Sequence, residues 1–113
     1  MRQGEIWLVT LSPTVGAEIT KPRPCIIVSC NEIGILPLKV VALITDFKEH
    51  YSSVPWMVEL NPNSGNNLSK RSVADLFQLR SVSQSRLLKK LGSVTNEEFL
   101  KIIEAIKIVF GIY

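Results

Sequence analysis

The stretch Thr95-Asn96-Glu97-Glu98, with the apolar residues behind it, limits the fold more than any other part of the chain. Thr95 and Glu98 stand three residues apart, the spacing of a capping box. In that arrangement the hydroxyl accepts a free N–H of the first turn and the carboxylate reaches back to the cap. Phe99, Ile102, Ile103, Ile106, Val109 and Phe110 then recur at helical spacing on one face, with Glu97, Lys101, Glu104 and Lys107 on the other. A stripe of that kind needs a surface to bury it, and the upstream residues read as strands that can supply one. Glu5 to Thr10 puts Ile6, Leu8 and Thr10 on one face and Trp7 and Val9 on the other. Cys25 to Ser29 and Lys39 to Ile44 are continuously apolar, as strands covered on both sides are. Trp56 to Leu60 is a further short strand, and Ser72 to Val82 supplies two with a break near Leu76-Phe77. Asn31 to Gly34 reads as a turn or short helical piece. Asp46 to Val54 is a polar loop, and Asn61 to Ser69 is a loop rich in Asn, Pro and Gly. Ser83 caps a second predicted helix over Gln84 to Leu91, with Gly92 as its stop. Strands first and helices last predict an α+β domain.

A chain of 113 residues is of single-domain size, and 46% apolar residues are enough for a core. No apolar run reaches the roughly 18 residues of a membrane span. No basic segment followed by an apolar one opens the chain, so a cytoplasmic location is expected. Cys25 and Cys30 are expected as reduced thiols, because on one strand they would face opposite ways. With His50 they form no recognisable ligand pattern, so neither a metal nor another cofactor is expected. The net charge of +3 is compatible with a polyanionic partner. Lys70, Arg71, Arg80, Arg86, Lys89 and Lys90 fall in one third of the chain, with Asp75 the only acid among them.

Between the first two strands lies a loop that carries Gly16, Glu18, Lys21 and Arg23. Pro22 and Pro24 flank Arg23 and fix the backbone on either side. The motifs here are Gly4-Glu5-Ile6-Trp7, then Leu11-Ser12-Pro13-Thr14-Val15-Gly16-Ala17-Glu18, then Arg23-Pro24. In that order they resemble the opening of the MazF/PemK-like (Kid-like) toxins of bacterial type II toxin–antitoxin systems, and the resemblance continues to the C-terminus. It implies one toxin domain over residues 1–113, built as a small SH3-like β-barrel (MazF/Kid/CcdB-like) with a C-terminal α-helix packed on it. It further implies a sequence-specific, metal-independent endoribonuclease acting on single-stranded mRNA. The expected partners are a second copy of the chain, as a homodimer, and a cognate antitoxin with an acidic disordered tail. Two other readings stay open: a CcdB-like toxin that poisons gyrase by contact alone, and an RNA-binding barrel without chemistry.

Cleaving RNA without a metal requires an aligned and deprotonated 2′-hydroxyl, neutralised phosphate charge and a stabilised leaving oxygen, so positioning and electrostatics are the levers. Arg23, planar and permanently charged, suits the phosphate role. Thr45 ends the apolar strand where the family places an Ile-Thr or Val-Thr, and its hydroxyl can donate to a phosphate oxygen or orient a nucleophile. Glu18 either orients Arg23, serves as a base, or forms only a surface ion pair. Gln78, Lys21 and Arg80 are the expected substrate contacts, Gln78 by its match to a family Gln. The chain departs from Kid-like members just before that Gln: an Arg and an Asp proposed there as acid and base correspond to Asp75 and Phe77. Phe77 cannot move a proton, so Arg23 and Thr45 carry more of the expected mechanism. His50 has a suitable pKa but matches no family motif.

Overall fold

The structure is a computed structural model that describes residues 1–11 and 21–113. Six strands and a terminal helix follow in order: β1 (Glu5–Val9), β2 (Arg23–Ile27), β3 (Leu38–Asp46), β4 (Met57–Leu60), β5 (Ser72–Ser83), β6 (Leu87–Ser93) and α1 (Asn96–Phe110). All pairings are antiparallel, and the sheet runs β4-β5-β3-β2-β1-β6. The period-2 alternation of its strands makes two apolar faces. Ile6, Ile26, Ala42, Ile44, Ala74 and Leu76 point to one side, where α1 covers them with Ile102 and Ala105. Val9, Cys25, Ile27, Val41, Val82 and Leu87 form a smaller core on the other side. Two-sided burial is why β2 and β3 read as unbroken apolar runs.

The capping box forms as expected. Thr95 Oγ1 accepts from the Glu98 N–H at 3.1 Å, and the Glu98 carboxylate accepts from the Thr95 N–H at 2.8 Å. Gly111, at φ 68°, closes the helix in the left-handed conformation. Phe110, expected on the buried stripe, stays 64% exposed because it lies past the edge of the sheet-facing stripe.

Three expectations need correction. The helix predicted over Gln84–Leu91 is instead a short 3₁₀ turn, Gln84–Arg86, followed by β6. Ser83 does cap, accepting from the Ser85 N–H. The chain then pairs with the open side of β1, placing Leu87 opposite Val9 and Lys90 opposite Trp7. That ladder and the burial of Leu87 outweigh the helix propensity of a Leu-Leu-Lys-Lys run. The two strands expected over Ser72–Val82 are one long strand with a bulge: β3 steps from Ala42 to Leu43 while β5 steps from Leu79 to Asp75. The break anticipated at Leu76-Phe77 is this bulge.

The third concerns the barrel, which is not confirmed. Among the described residues the strand pairing leaves the sheet open, with β4 and β6 as its edges. β4 has only four residues, and the loop after it spans the gap to β6 instead. Gly65 O accepts from the Ser93 N–H at 2.9 Å, and Asn67 Nδ2 donates to Leu91 O at 2.6 Å. Fully buried Asn66 holds the loop in shape, accepting from the Asn63 and Leu68 N–H groups and donating to Asn61 O. Gly92, expected as a helix stop, is where this loop meets β6: a Cβ there would lie 2.8 Å from Asn66 Cα and closer still to Gly65 O.

Near the N-terminus, Glu5 sits on the sheet beside Trp7. Burial alone would raise its carboxyl, but it accepts the Arg2 N–H (2.9 Å) and the Trp7 indole N–H (3.0 Å), and pairs with Lys90 (3.0 Å). Together with the N-terminal ammonium these hold it at about 2, below the ordinary 4.5. The folded value is the lower one, so this contribution is complete above pH 4.5 and disappears as pH falls toward 2.

Two predictions follow from these contacts. Gly92→Ala forces backbone apart at the seam and should destabilise the fold by about 1–3 kcal/mol, read as a lower urea midpoint. Glu5→Gln should flatten the loss of stability between pH 4.5 and pH 2, by on the order of 2 kcal/mol in paired urea titrations.

Candidate nucleic-acid interface

β2 and β3 pair with Cys25 opposite Leu43, Ile26 opposite Ala42 and Ile27 opposite Val41. Antiparallel strands run in opposite directions, so one step back on β2 matches one step forward on β3. The same register therefore sets Arg23 beside Thr45. Both continue the alternation of Cys25, Ile27, Val41 and Leu43, so they share the sheet face opposite α1. They line one cleft of about 390 Å³ with Lys21, Asp46, Lys70 and Ser72. The structure thus brings Arg23, Thr45 and Lys21 together, and adds Lys70 and Ser72, which sequence reasoning did not single out as site residues. Lys70 follows the Asn-rich loop, and only the pairing of Ser72 with Asp46 reveals its place.

Some of the cations are held by acids. Arg71 pairs with Glu59 and lies 3.7 Å above the Phe47 ring; Lys90 pairs with Glu5; Lys107 pairs with Glu104. Lys70 is 3.8 Å from Asp46 with both side chains largely exposed, a contact of little energy. Among the described residues Arg2, Lys21, Arg23, Lys39, Lys48, Arg80, Lys89 and Lys101 have no acid partner within ion-pair distance. Of these, Lys21 and Arg23 line the cleft at the strand ends and Arg80 lines a second cavity.

Arg80 and Gln78 lie farther along the same face, around a second cavity of about 250 Å³ whose walls include Leu11, Cys25, Val41 and Leu43. Cys25 belongs to the wall of this second cavity. Burial raises its thiol to about 12, against the pull of Arg23 and then Arg80. It is therefore a neutral apolar wall and not a nucleophile; both cysteines are free, as expected.

Asp75 is the feature that sequence reasoning undervalued. It is 6% exposed. Its Oδ1 accepts from the Phe77 N–H at 3.0 Å and its Oδ2 from Gln78 Nε2 at 3.1 Å. The carboxylate holds the β5 bulge and the Gln78 amide together. An Asp two residues before a strand break is the signal that could have shown it, since such side chains bond the backbone two residues on. Phe77 is 63% exposed with its ring 5.4 Å from Trp56. His50 is exposed on a 3₁₀ turn against Tyr51 and lines neither cavity. Glu18 and Gly16 lie outside the described residues. Among the described residues no three His, Cys, Asp or Glu side chains gather as a metal site, and no helix is long and apolar enough to cross a membrane.

Residues 2–110 match the model of the PemK-like, MazF-like toxins of type II toxin–antitoxin systems. The chain belongs to this family. It is 33% identical over 115 aligned positions to the Endoribonuclease MazF of Staphylococcus saprophyticus, covering 100% of this chain and 93% of the relative. It is 31% identical to the Endoribonuclease MazF9 of Mycobacterium tuberculosis, covering 96% and 94%. Its fold is similar to a mycobacterial endoribonuclease in complex with its cognate antitoxin, with a TM-score of 0.78 at 21% identity over 100% and 97% of the chains. It is also similar to a chain of a MazE–MazF crystal structure from Deinococcus radiodurans, with a TM-score of 0.79 at 18% identity over 100% and 97%. The MazF-like fold explains the six-stranded antiparallel sheet with one terminal helix.

Proposed function

We propose that this toxin-family chain is a cytoplasmic, sequence-specific endoribonuclease that cleaves single-stranded mRNA through the substrate's own 2′-hydroxyl. The observation that carries this is that Arg23 and Thr45 line one cleft, whose arginine has no acid partner among the described residues. A guanidinium in such a cleft neutralises the charge that builds on the non-bridging phosphate oxygens. The Thr45 hydroxyl, engaged by no hydrogen bond among the described residues, is available to a phosphate oxygen or to the attacking oxygen. Lys21 and Lys70 hold the flanking phosphates and set the strand's path. The 2′-oxygen already lies next to the phosphorus, so alignment alone gives a large effective concentration. Its proton passes to the base as it attacks, forming a 2′,3′-cyclic phosphate and breaking the bond to the 5′-oxygen, which takes up a proton from solvent and leaves as a 5′-hydroxyl. Glu18 is the proposed base or orienting partner of Arg23. The names of the relatives support RNA as the substrate over the gyrase reading.

Arg23→Ala and Thr45→Ala should each lower the cleavage rate by on the order of 10² or more, with melting unchanged, while His50→Ala should have little effect. A single 2′-deoxy sugar immediately 5′ of the cut should abolish cleavage in chelator without abolishing binding. Cutting of the deoxy strand, or a 5′-phosphate product in mass analysis of the ends, would instead require an activated water.

We also propose a homodimer and an acidic antitoxin tail as partners. Leu100, Phe110 and Ile112 are more than half exposed along and beyond α1, apolar surface that a second copy would cover. The unpaired cations of the site face offer an acidic segment the same charges they offer RNA. Two of the fold neighbours are toxins solved with an antitoxin. Sedimentation at micromolar concentration should give a dimer, and a saturating antitoxin should displace labelled RNA. A monomer, or an antitoxin complex that still cuts RNA at the full rate, would remove these assignments.

A further inference from the structure

At the bulge of β5 one aromatic ring is left out of both cores. Phe77 is 63% exposed and belongs to neither apolar cluster. Among the described residues the other exposed aromatics, Phe110 and Tyr113, lie at and beyond the end of α1. We infer that Phe77 is a stacking platform for one nucleobase of a single-stranded RNA, whatever the identity of that base. The inference rests on the RNA reading above and deepens it.

The ring is held in place from below. Its backbone N–H donates to Asp75 Oδ1 at 3.0 Å, and the Leu76 N–H donates to Trp56 O at 3.1 Å, so the chain that carries it is tied down at both residues. The ring lies 5.4 Å from that of Trp56 at a tilt of 56°, within the range of paired aromatics. Trp56 is itself packed against the core under α1. It backs one side of Phe77, and the exposed remainder is open to a flat partner. β4 pairs with β5 only as far as Met57 opposite Asp75, so Phe77 stands just past the end of that cover. A ring fixed in this way loses little conformational freedom when a base lands on it.

The neighbours decide what lands there. A lone exposed aromatic needs no ligand to explain it, but this one stands between two charged places. Gln78 follows it on the bulge, and Arg80, a cation without an acid partner, comes two residues later; both line the second cavity. In the other direction Asp75, at the foot of the bulge, faces Leu43. Leu43 lies two residues before Thr45 on β3, about 7 Å at the rise of a strand. A π-face between a free guanidinium and a phosphate cleft matches successive nucleotides of one strand, with phosphates on the cations and a base on the ring. A second copy laid on Phe77 would bring apolar surface to a rim that carries unpaired Arg80, whereas a nucleotide brings an anion with its base. Stacking reads no hydrogen-bonding edge, and every base has a π-face, so the platform selects none of the four.

The test is an abasic scan. The probe is a 2′-deoxy-substituted single strand, chosen as the tightest binder from a random pool and then stripped of one base at a time. It is titrated with the native chain, Phe77→Leu and Phe77→Trp, with melting and sedimentation followed in parallel. Loss of the base at one position should weaken binding to the native chain by on the order of tenfold. Phe77→Leu keeps the apolar bulk against Trp56 but removes the π-face. It should bind the intact strand about tenfold more weakly and be indifferent to the base at that position, and Phe77→Trp should restore both. The salt dependence should be the same in all three, because the phosphate contacts are untouched. A merely apolar role predicts that Leu serves as well as Phe, so a folded Phe77→Leu chain with native affinity overturns the inference. So does a loss of affinity that is the same at every abasic position, or one that accompanies a change from dimer to monomer, which would make the ring a contact between copies. A native chain that cuts RNA but shows no coupling between the ring and any base defeats this inference alone. One that binds no single strand defeats the RNA reading and this inference with it. One that stacks the base without cutting defeats the nuclease reading and leaves this one standing.

Discussion

The register in which β3 is held between β2 and β5 determines the arrangement of the site face. On one side Cys25 faces Leu43, and that single alignment carries Arg23 to Thr45. A slip of one residue would turn every β2 side chain to the opposite face. Cys25 and Ile27 would exchange places with Ile26, and Arg23 would point into the core under α1, where an unpaired guanidinium is costly. The apolar alternation that buries Ile26 on one side and Cys25 on the other is thus also what holds the arginine at the cleft. On the other side of β3, pairing with β5 survives only by a bulge. The bulge brings Gln78 to the rim, and Asp75 keeps it from relaxing.

The placement of the helix has a similar consequence. A six-stranded sheet with two apolar faces needs cover on both, and α1 is the one long helix among the described residues. It takes the face of Ile26, Ile44 and Leu76. The other face has a smaller core of its own and is closed among the described residues only by side chains and the β1–β6 ladder. A hollow beside Arg80 remains there, and the cleft of Arg23 and Lys21 opens at the ends of the same strands. Glu5 shows the contrast. It is on the same face, but Lys90, Trp7 and the Arg2 N–H occupy it fully. That end of the face holds its charges for stability, whereas the Arg23 end leaves them available.

The parts of this design that are local were legible in the sequence. The capping box of Thr95 and Glu98 formed at the expected residues because both partners lie within one turn. Arg23 and Thr45 stand out by motif, and two strands visible as apolar runs bring them to one cleft. What failed was nonlocal. Gln84–Leu91 has good helix formers and a cap at Ser83, and nothing within the segment says that β1 has an unpaired side waiting for it. Gly92 was read as a stop because its actual reason, the backbone of Gly65 and Asn66 pressed against it, comes from a loop far upstream in the sequence. The barrel is implied by the resemblance, and the short β4 with its Asn-rich extension shows why strand pairing among the described residues leaves the sheet open.

Asp75 was visible as a letter and not as a partner. In a strand pattern an acid at a buried position reads as a fault in alternation. Its meaning depends on two donors that the bulge alone brings to it. The same geometry bears on the departure at Phe77. With a proton-moving group absent from that position, the bulge cannot supply an acid or base, and the carboxylate two residues earlier is engaged by the Phe77 N–H and Gln78. Proton transfer in the proposed reaction then falls to the neighbourhood of Arg23, and the β5 bulge is left with a binding role. Separating chemistry from recognition along one strand pair has a physical benefit. In the proposed reading the Arg23 charge would act on phosphate common to every sequence, while Gln78 and Arg80 would be free to meet the part of the substrate that differs.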